Sequence, residues 1–399
     1  MKSIILLGDG MADEPIGELG GKTPLEAART PFMDALASRG ELGMARTVKP
    51  GFPPGSDVAN MTVLGIDPGR YYTGRAPIEA MSIGVTLGED DTAFRINLVS
   101  LAEGDEGLSM GDYSAGHIST AEARELISDL QGIVEGYPNI RVYPGVEYRH
   151  LMVINGYDCP DLRATPPHDI TGKGIAPYLP SDPLLRELME KSREMLRDHP
   201  VNVARRKAGK KEATSIWPWG HGKGMKVPTL EAEYGITGSM ISAVDLLKGL
   251  GLLRGMEVIN VPGATGWIDT DYEGKARAAV SSLSSRDLVF VHVEAPDESG
   301  HGGLLKEKIR AIEDFDEKVV GHVLRAMEEK GGPFRILCMP DHPTPIARKT
   351  HTAEPVPFVI CSSSDQGRTG FAFSEKEAVR AGLFIEEGHT LLARLLART

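Results

Sequence analysis

The chain has 399 residues, 41% of them hydrophobic and 25% charged, which is enough apolar material for a large core and too much length for one ordinary domain. Two domains are expected. A formal net charge of -12 excludes the basic footprint that nucleic acid or an anionic membrane surface requires, so a small soluble ligand is the expected partner. Three cysteines, Cys159, Cys338 and Cys361, with no short spacing between them, support neither a disulfide framework nor a thiolate zinc site and fit a reducing cytoplasm.

The chain opens with a short apolar run, Ile4-Ile5-Leu6-Leu7, which Asp9 cuts off well before signal-peptide or membrane length, so Met1 to Gly8 reads as a first β-strand. A helix is predicted from Pro31 to Arg39, stopped by Gly40. Ser119-x-x-Glu122 has the form of a capping box opening a helix through Leu130, and Ser181 opens another that Pro200 ends. Gly238 to Leu247 and Leu304 to Glu329 carry apolar residues at helical spacing. Asp287 to Val293 and Phe334 to Met339 are short continuous apolar runs, the pattern of strands buried on both faces. Ser374-x-x-Glu377 opens a further helix, and His389 to Arg398 is the last. Strands alternating with helices place the chain in the α/β class, with a parallel-rich sheet flanked by helices.

Acids and histidines fall at the ends of these strands. Asp9 follows the first; Asp297, with His301 four residues on, lies just beyond the run ending at Val293; Asp341 and His342 follow Met339, with His351 nearby. Ligands of open parallel sheets collect at the carboxyl ends of the strands, so remote segments are expected to deliver these residues to one edge. Each alone is as readily a cap or loop residue. Together Asp9, Asp297, His301, Asp341, His342 and His351 form an oxygen and imidazole donor set for divalent metal ions, suited to manganese or zinc and less to magnesium. Two metals serve a reaction in which charge builds on both the attacking and the leaving oxygen of a phosphoryl group, and such a site needs a nucleophile. Pro54-Gly55-Ser56-Asp57 precedes an apolar stretch through Leu64, which puts Ser56 at a helix start where exposed amides favour an anion. Ser56 is either an ordinary N-cap or, beside a metal, an activated nucleophile.

In this order, Asp9, Ser56, Asp297, His301, Asp341, His342 and His351 resemble the metal and nucleophile set of the alkaline phosphatase superfamily. More narrowly, several stretches resemble the archaeal-type, 2,3-bisphosphoglycerate-independent phosphoglycerate mutases: Gly8 to Asp13, Gly55 to Asn60, Gly235 to Lys248, Val261 to Gly266, Ala295 to His301 and Pro340 to Pro345. The resemblance implies an alkaline phosphatase-like core interrupted by a smaller inserted α/β domain. It also implies one metal held by Asp297, His301 and His351 and another held by Asp9, Ser56, Asp341 and His342. The implied reaction passes a phosphoryl group from 3-phosphoglycerate to the serine and back to the other hydroxyl of the glycerate, with the inserted domain closing to keep water out.

The insertion is placed at residues 77–226, leaving 1–76 and 227–399 for the metal-binding domain, because Arg75-Ala76-Pro77 and Gly220 to Pro228 are Gly/Pro-rich crossings around a stretch without metal ligands. Holding a small phosphorylated metabolite requires cations there, and His117, Arg149, His150, Arg205 and Arg206 are the candidates; the last two belong to a basic cluster that reads equally well as a solvated loop. Where the archaeal mutases show an arginine-glycine turn, this chain has Ile216-Trp217-Pro218-Trp219-Gly220-His221-Gly222. Those tryptophans are either core residues or a reshaped pocket. The second option opens an alternative, a homoserine kinase-like phosphotransfer from a nucleotide, although Gly17 to Thr23 only superficially resembles a P-loop because position 16 is Ile16. A metal-dependent phosphomonoesterase or phosphodiesterase would share the metal set, and a non-enzymatic metal-binding scaffold would have no need of Ser56.

Overall fold

The structure, a computed structural model, describes residues 1–104, 107–158, 161–365, 367 and 369–397. Cys159 and the expected helix end at Arg398 lie outside them. The chain divides into two compact units, Met1–Tyr72 with Lys226–Thr399, and Thr73–Met225. Among the described residues no helix is long and apolar enough to cross a membrane.

Among the described residues thirteen strands are formed, in chain order β1 Lys2–Gly8, β2 Glu41–Ala45, β3 Asp91–Gly104, β4 Gly107–Asp112, β5 Ile140–Val146, β6 Arg149–Asn155, β7 Ser215–Lys223, β8 Gly238–Ile241, β9 Glu257–Val258, β10 Leu288–Val293, β11 Phe334–Met339, β12 Val356–Ser362 and β13 Phe384–Ile385. The first unit holds an eight-stranded sheet in the order β13-β2-β12-β11-β1-β10-β8-β9. Its centre, from β11 through β1, β10 and β8 to β9, is parallel, and β12 runs antiparallel to both of its neighbours. The continuous apolar runs are explained by burial on both faces: every residue of β10 and β11 is buried. On one face Ile4, Leu6, Val289, Val291, Ile336 and Cys338 pack with apolar residues of the helices Pro31–Arg39 and Tyr272–Ser282.

The stretch after Leu304 is helical from Leu305 through Lys330, with a π turn at Asp316–Val320 between Leu305–Phe315 and Gly321–Lys330. That turn has a purpose. Thr30, ahead of the helix Pro31–Arg39, makes no side-chain cap, and the Asp316 carboxylate instead accepts the amides of Phe32 at 3.2 Å and Met33 at 2.7 Å. Burial raises the Asp316 carboxyl to about 6 against the pull of those amides, with Asp34 and Glu317 adding to the rise.

The second unit is built differently. Its five strands pair only antiparallel, with β6 and β7 on either side of the first half of β3 and β4 on its second half. The period-two alternation of β3 and β6 feeds two cores. Phe94, Ile96, Met152 and Ile154 face the helices Thr120–Val134 and Pro183–Arg197, while Ala93, Leu151 and Val153 face Ala76 and Ala80 of the helix Ala76–Ser82. Among its described residues the second unit therefore keeps the expected mixture of helix and strand, with no parallel ladder between its strands.

Three local expectations are corrected. Gly238 to Leu247 is not one helix: Gly238–Ile241 is β8, and the helix is Asp245–Leu253, because the short glycine-led segment is buried between β10 and β9 and only the later residues show a helical stripe. Asp182, not Ser181, caps the helix Pro183–Arg197, its side chain accepting the Leu185 amide. Pro200 opens the next helix, Pro200–Lys207, as proline at a first helical position does. The Ser119 and Glu122 capping box is formed, and its helix runs on to Val134.

Candidate active site

The parallel ladder fixes where the polar residues go. β1, β10 and β11 run side by side in one direction, so Asp9, the segment opening at Ala295, and Asp341 with His342 emerge at the same edge. The Asp9 amide donates to Val293 O at 2.9 Å. The next residue, Gly10, has φ +63, and a Cβ there would lie 2.7 Å from the Asp297 Cα and Oδ1; only glycine lets the first loop pass so close to that acid. Its amide donates to Asp341 Oδ1 at 3.1 Å.

Two groups of donors form. In the first, Asp297 and His301 stand four residues apart on the helix Ala295–Gly302, with His301 Nε2 3.3 Å from Asp297 Oδ2 and His351 Nε2 3.4 Å from Asp297 Oδ1. The two imidazoles point Nε2 at Nε2 across 2.8 Å. His301 Nδ1 lies 3.1 Å from the Lys349 carbonyl, which can only accept, so in the neutral ring the proton sits on Nδ1, and a cation that displaces the Nε2 proton finds that lone pair aimed at it. The second group comprises Asp9, Asp297 and His342, all buried, and His342 Nε2 lies 3.5 Å from Asp9 Oδ1 and 3.4 Å from Asp341 Oδ2. Ser56 Oγ is 3.1 Å from the same Nε2. Ser56 is the first residue of the helix Ser56–Val63; Gly55 occupies the N-cap and no side chain caps that end, so the ordinary capping role does not apply to Ser56.

The electrostatics of the edge are those of crowded anions. Burial, followed by the charges of Asp341, Asp297 and Glu294, raises Asp9 well above the usual aspartate range. Burial would raise Asp297 too, but hydrogen bonds from His301 and His351 hold it well below. Burial lowers His301 less than Asp297 raises it, and the imidazole reaches about 9; burial lowers His342. Asp9 Oδ1 is buried and, among the described residues, makes no hydrogen bond. Buried carboxylates, facing imidazole nitrogens and an orphaned carboxylate oxygen are what divalent cations satisfy, so the donor set fits them.

Four supporting residues were not singled out from the sequence. His292 lies inside the apolar run of β10 and reads there as core, yet its Nε2 meets Asp9 Oδ2 at 2.8 Å, and burial lowers its pKa to about 3. Asn60, one turn after Ser56, donates to Asp341 Oδ2 at 2.7 Å and to Ser56 O at 2.9 Å. Thr344 Oγ1 donates to Asp297 Oδ1. Lys308, fully buried, ties the loops after β1 and β11 together through Asp13 Oδ2 at 2.7 Å, Thr344 O at 2.8 Å and Ala12 O at 3.3 Å. A lone polar residue in an otherwise apolar stripe was the only available signal for His292 and Lys308.

In the second unit, the structure separates the five cation candidates. Arg205 is buried, and its guanidinium donates to Glu122, Ala115 O and Lys211 O, so it is a structural residue, contrary to expectation. His150 is buried and accepts the Gly145 amide through Nδ1, and burial lowers its pKa to about 3, which leaves no cation for a substrate. Arg206 pairs at the surface with Glu212. His117 and Arg149 are brought together instead, both against Tyr148, the ring of His117 edge-on at 6.2 Å and the guanidinium of Arg149 at 5.4 Å. Two further arginines join them. Arg95 lies 2.8 Å from Glu79 and stacks 4.2 Å over Trp219, whose Nε1 donates to Asn97 Oδ1 at 2.9 Å, and Arg75 reaches the same Glu79 at 2.9 Å. Burial raises Glu79, but the charges of Arg95, Arg75 and Arg149 reverse the shift and hold it below the ordinary range. Glu79 is thus the point at which the charges of Arg95, Arg75 and Arg149 meet. Trp217, with its Nε1 on Thr165 O, is core.

An α/β chain with carboxylates, imidazoles and a serine gathered at the carboxyl edge of a parallel ladder defines a candidate cation-dependent enzyme centre. Comparison with known proteins narrows the class. The sequence profile of the family described as 2,3-bisphosphoglycerate-independent phosphoglycerate mutase matches residues 37–202. The chain is 54% identical to a probable 2,3-bisphosphoglycerate-independent phosphoglycerate mutase of Geobacter sulfurreducens over 100% of both chains. It is 51% identical to the mutase of that description from Methanosarcina acetivorans over 96% of each. Among solved structures, a protein of Pyrococcus horikoshii superposes with TM-score 0.82 at 29% identity, covering 100% of this chain and 98% of that one. The cofactor-independent phosphoglycerate mutase of Thermoplasma acidophilum gives TM-score 0.66 at 28% identity over 100% of both. The chain belongs to the family of 2,3-bisphosphoglycerate-independent phosphoglycerate mutases.

Proposed function

We propose that the chain interconverts 3-phosphoglycerate and 2-phosphoglycerate without 2,3-bisphosphoglycerate, through a phosphoserine at Ser56. The observation that carries the covalent step is the placement of Ser56 Oγ at the open start of its helix, 3.1 Å from His342 Nε2 and beside the group formed by Asp9, Asp297 and His342. Two divalent cations, manganese or zinc in preference to magnesium, would neutralise the phosphoryl oxygens and lower the pKa of the serine hydroxyl. Asp297, His301 and His351 would hold one; Asp9, Ser56, Asp341 and His342 would hold the other.

Ser56 Oγ attacks phosphorus, the bond from phosphorus to the glycerate 3-oxygen breaks, and the serine proton ends on that oxygen. After glycerate turns, its 2-hydroxyl attacks the phosphoserine, the bond from phosphorus to Oγ breaks, and the proton returns to Ser56. The amides at the first turn of the Ser56–Val63 helix favour the dianionic group in both steps. For the anionic glycerate we assign Arg75, Arg95, Arg149 and His117, with Trp219 serving as the platform that fixes Arg95. The stacking gives Trp219 a task in a mutase and so supports that reading over a nucleotide-dependent one.

The test is a coupled assay of 2-phosphoglycerate formed from 3-phosphoglycerate, with manganese and without bisphosphoglycerate, run beside homoserine plus ATP. Mutase turnover that chelation abolishes and manganese restores supports the proposal. Turnover of homoserine and ATP alone, or release of inorganic phosphate alone, would overturn it.

A further inference from the structure

We infer that His292 is a positioning residue for Asp9, holding one carboxylate oxygen so that the other is presented to the cation-binding edge. The inference rests on the cation-dependent reading above. The other two acids each have fixed donors. Asp341 accepts from the Gly10 amide, Asn60 and its neighbour's amide in His342, at 3.1, 2.7 and 2.9 Å, and Asp297 accepts from Thr344 Oγ1. The Asp9 carboxylate meets His292 Nε2 through Oδ2 at 2.8 Å, while its Oδ1 is buried, without a hydrogen bond among the described residues, and 3.5 Å from His342 Nε2.

The proton positions follow from the neighbours. The Val244 amide donates to Ser242 Oγ at 3.0 Å, and Ser242 Oγ lies 3.1 Å from His292 Nδ1. With a cation held at this edge the Asp9 carboxylate is ionised and only accepts, so Nε2 carries the imidazole proton; Nδ1 then accepts, and the Ser242 hydroxyl donates to it. The relay from Ser242, just past β8, through His292 on β10 to Asp9, just past β1, crosses three adjacent parallel strands. Lys275 Nζ, at 3.2 Å from His292 O, steadies the strand under the ring, and neither residue has exposed surface. Without the imidazole, Asp9 is free to turn about its Cβ–Cγ bond and loses the one donor that makes its two oxygens different. The arrangement reverses the common one in which a carboxylate orients a ligating histidine; here the histidine orients the ligating carboxylate.

The experiment strips the protein of metal and titrates manganese by the loss of the free-ion EPR signal, for wild type, His292→Leu, His292→Gln and Ser242→Ala, with thermal unfolding recorded for each. A partner that orients a ligand is expected to matter by roughly 10–100-fold in affinity, so His292→Leu should weaken one manganese site by that factor, while His292→Gln, whose amide donates from a similar place, should stay within about threefold of wild type. Ser242→Ala should weaken the same site by a few-fold, and it serves as the test should His292→Leu not fold. Unchanged manganese binding in His292→Leu, equal losses in the Leu and Gln variants, or, where the Leu variant does not fold, unchanged binding in Ser242→Ala would overturn the inference. Wild type that binds no manganese would instead overturn the cation-dependent reading on which it rests.

Discussion

The two units put charged residues to use in opposite ways. In the first, acids and histidines from segments hundreds of residues apart converge because β1, β10 and β11 run parallel and deliver whatever follows them to one edge. In the second, the strands are antiparallel and the cations are scattered; some are consumed by the fold, as Arg205 is by Glu122 and two carbonyls, and others gather around Glu79 and the aromatic rings. A parallel sheet announces its site through topology, whereas an antiparallel unit reveals its own only through the partners each side chain finds.

This contrast can be broken by variants, and the largest effect should come from the edge of the first unit. Lys308→Met removes the buried cation that joins Asp13 to Thr344 O and leaves the Asp13 carboxylate uncompensated, so a loss of about 3–5 kcal/mol is expected in denaturant unfolding. A loss below about 1 kcal/mol would mean that the loops carrying Asp9 and Asp341 do not depend on it.

A smaller effect, with a definite pH signature, belongs to Asp316. Its folded pKa of about 6 lies above the usual aspartate value, so the folded chain binds the proton more tightly than the unfolded one. The group's contribution is fully present below the unfolded pKa near 4 and is lost as pH rises through about 6. Asp316→Asn removes the titration, so the stability difference between wild type and variant should shift in the variant's favour by on the order of 2 kcal/mol between pH 4 and 7. A difference that moves the other way over that range would contradict the assignment.

The smallest effect sharpens the picture of the second unit. Trp219→Leu removes the platform under Arg95 but none of the donors at the metal edge, so KM for 3-phosphoglycerate should rise by roughly 10-fold with kcat nearly unchanged. A fall in kcat at constant KM would place Trp219 in a different role.

How much was legible follows the same division. β10, β11 and the acids and histidines gathered at their edge could be read because apolar runs mark buried parallel strands, and polar residues at several strand ends, each alone as readily a cap, together point to one edge. The segment from Gly238 was misread because a strand of four buried residues, Gly238 to Ile241, is too short to show a period that separates strand from helix. His292 and Lys308 escaped notice because their value lies in contacts with Asp9 and Asp13, which the sequence leaves nearly 300 positions away. Arg205 and His150 were overvalued for the complementary reason: a basic residue shows its charge in the sequence, while the carbonyls and burial that absorb it are tertiary facts.

The central claim is that Ser56 carries the phosphoryl group between the two hydroxyls of glycerate. Its most direct test is mass spectrometry of the peptide containing Ser56 after metal-replete protein is mixed with 3-phosphoglycerate and quenched in acid, alongside the turnover of Ser56→Ala. Phosphate on Ser56, and a loss of turnover on the order of 10⁴-fold in the alanine variant, are the results this account predicts. An unmodified Ser56 together with substantial mutase turnover by Ser56→Ala would contradict it.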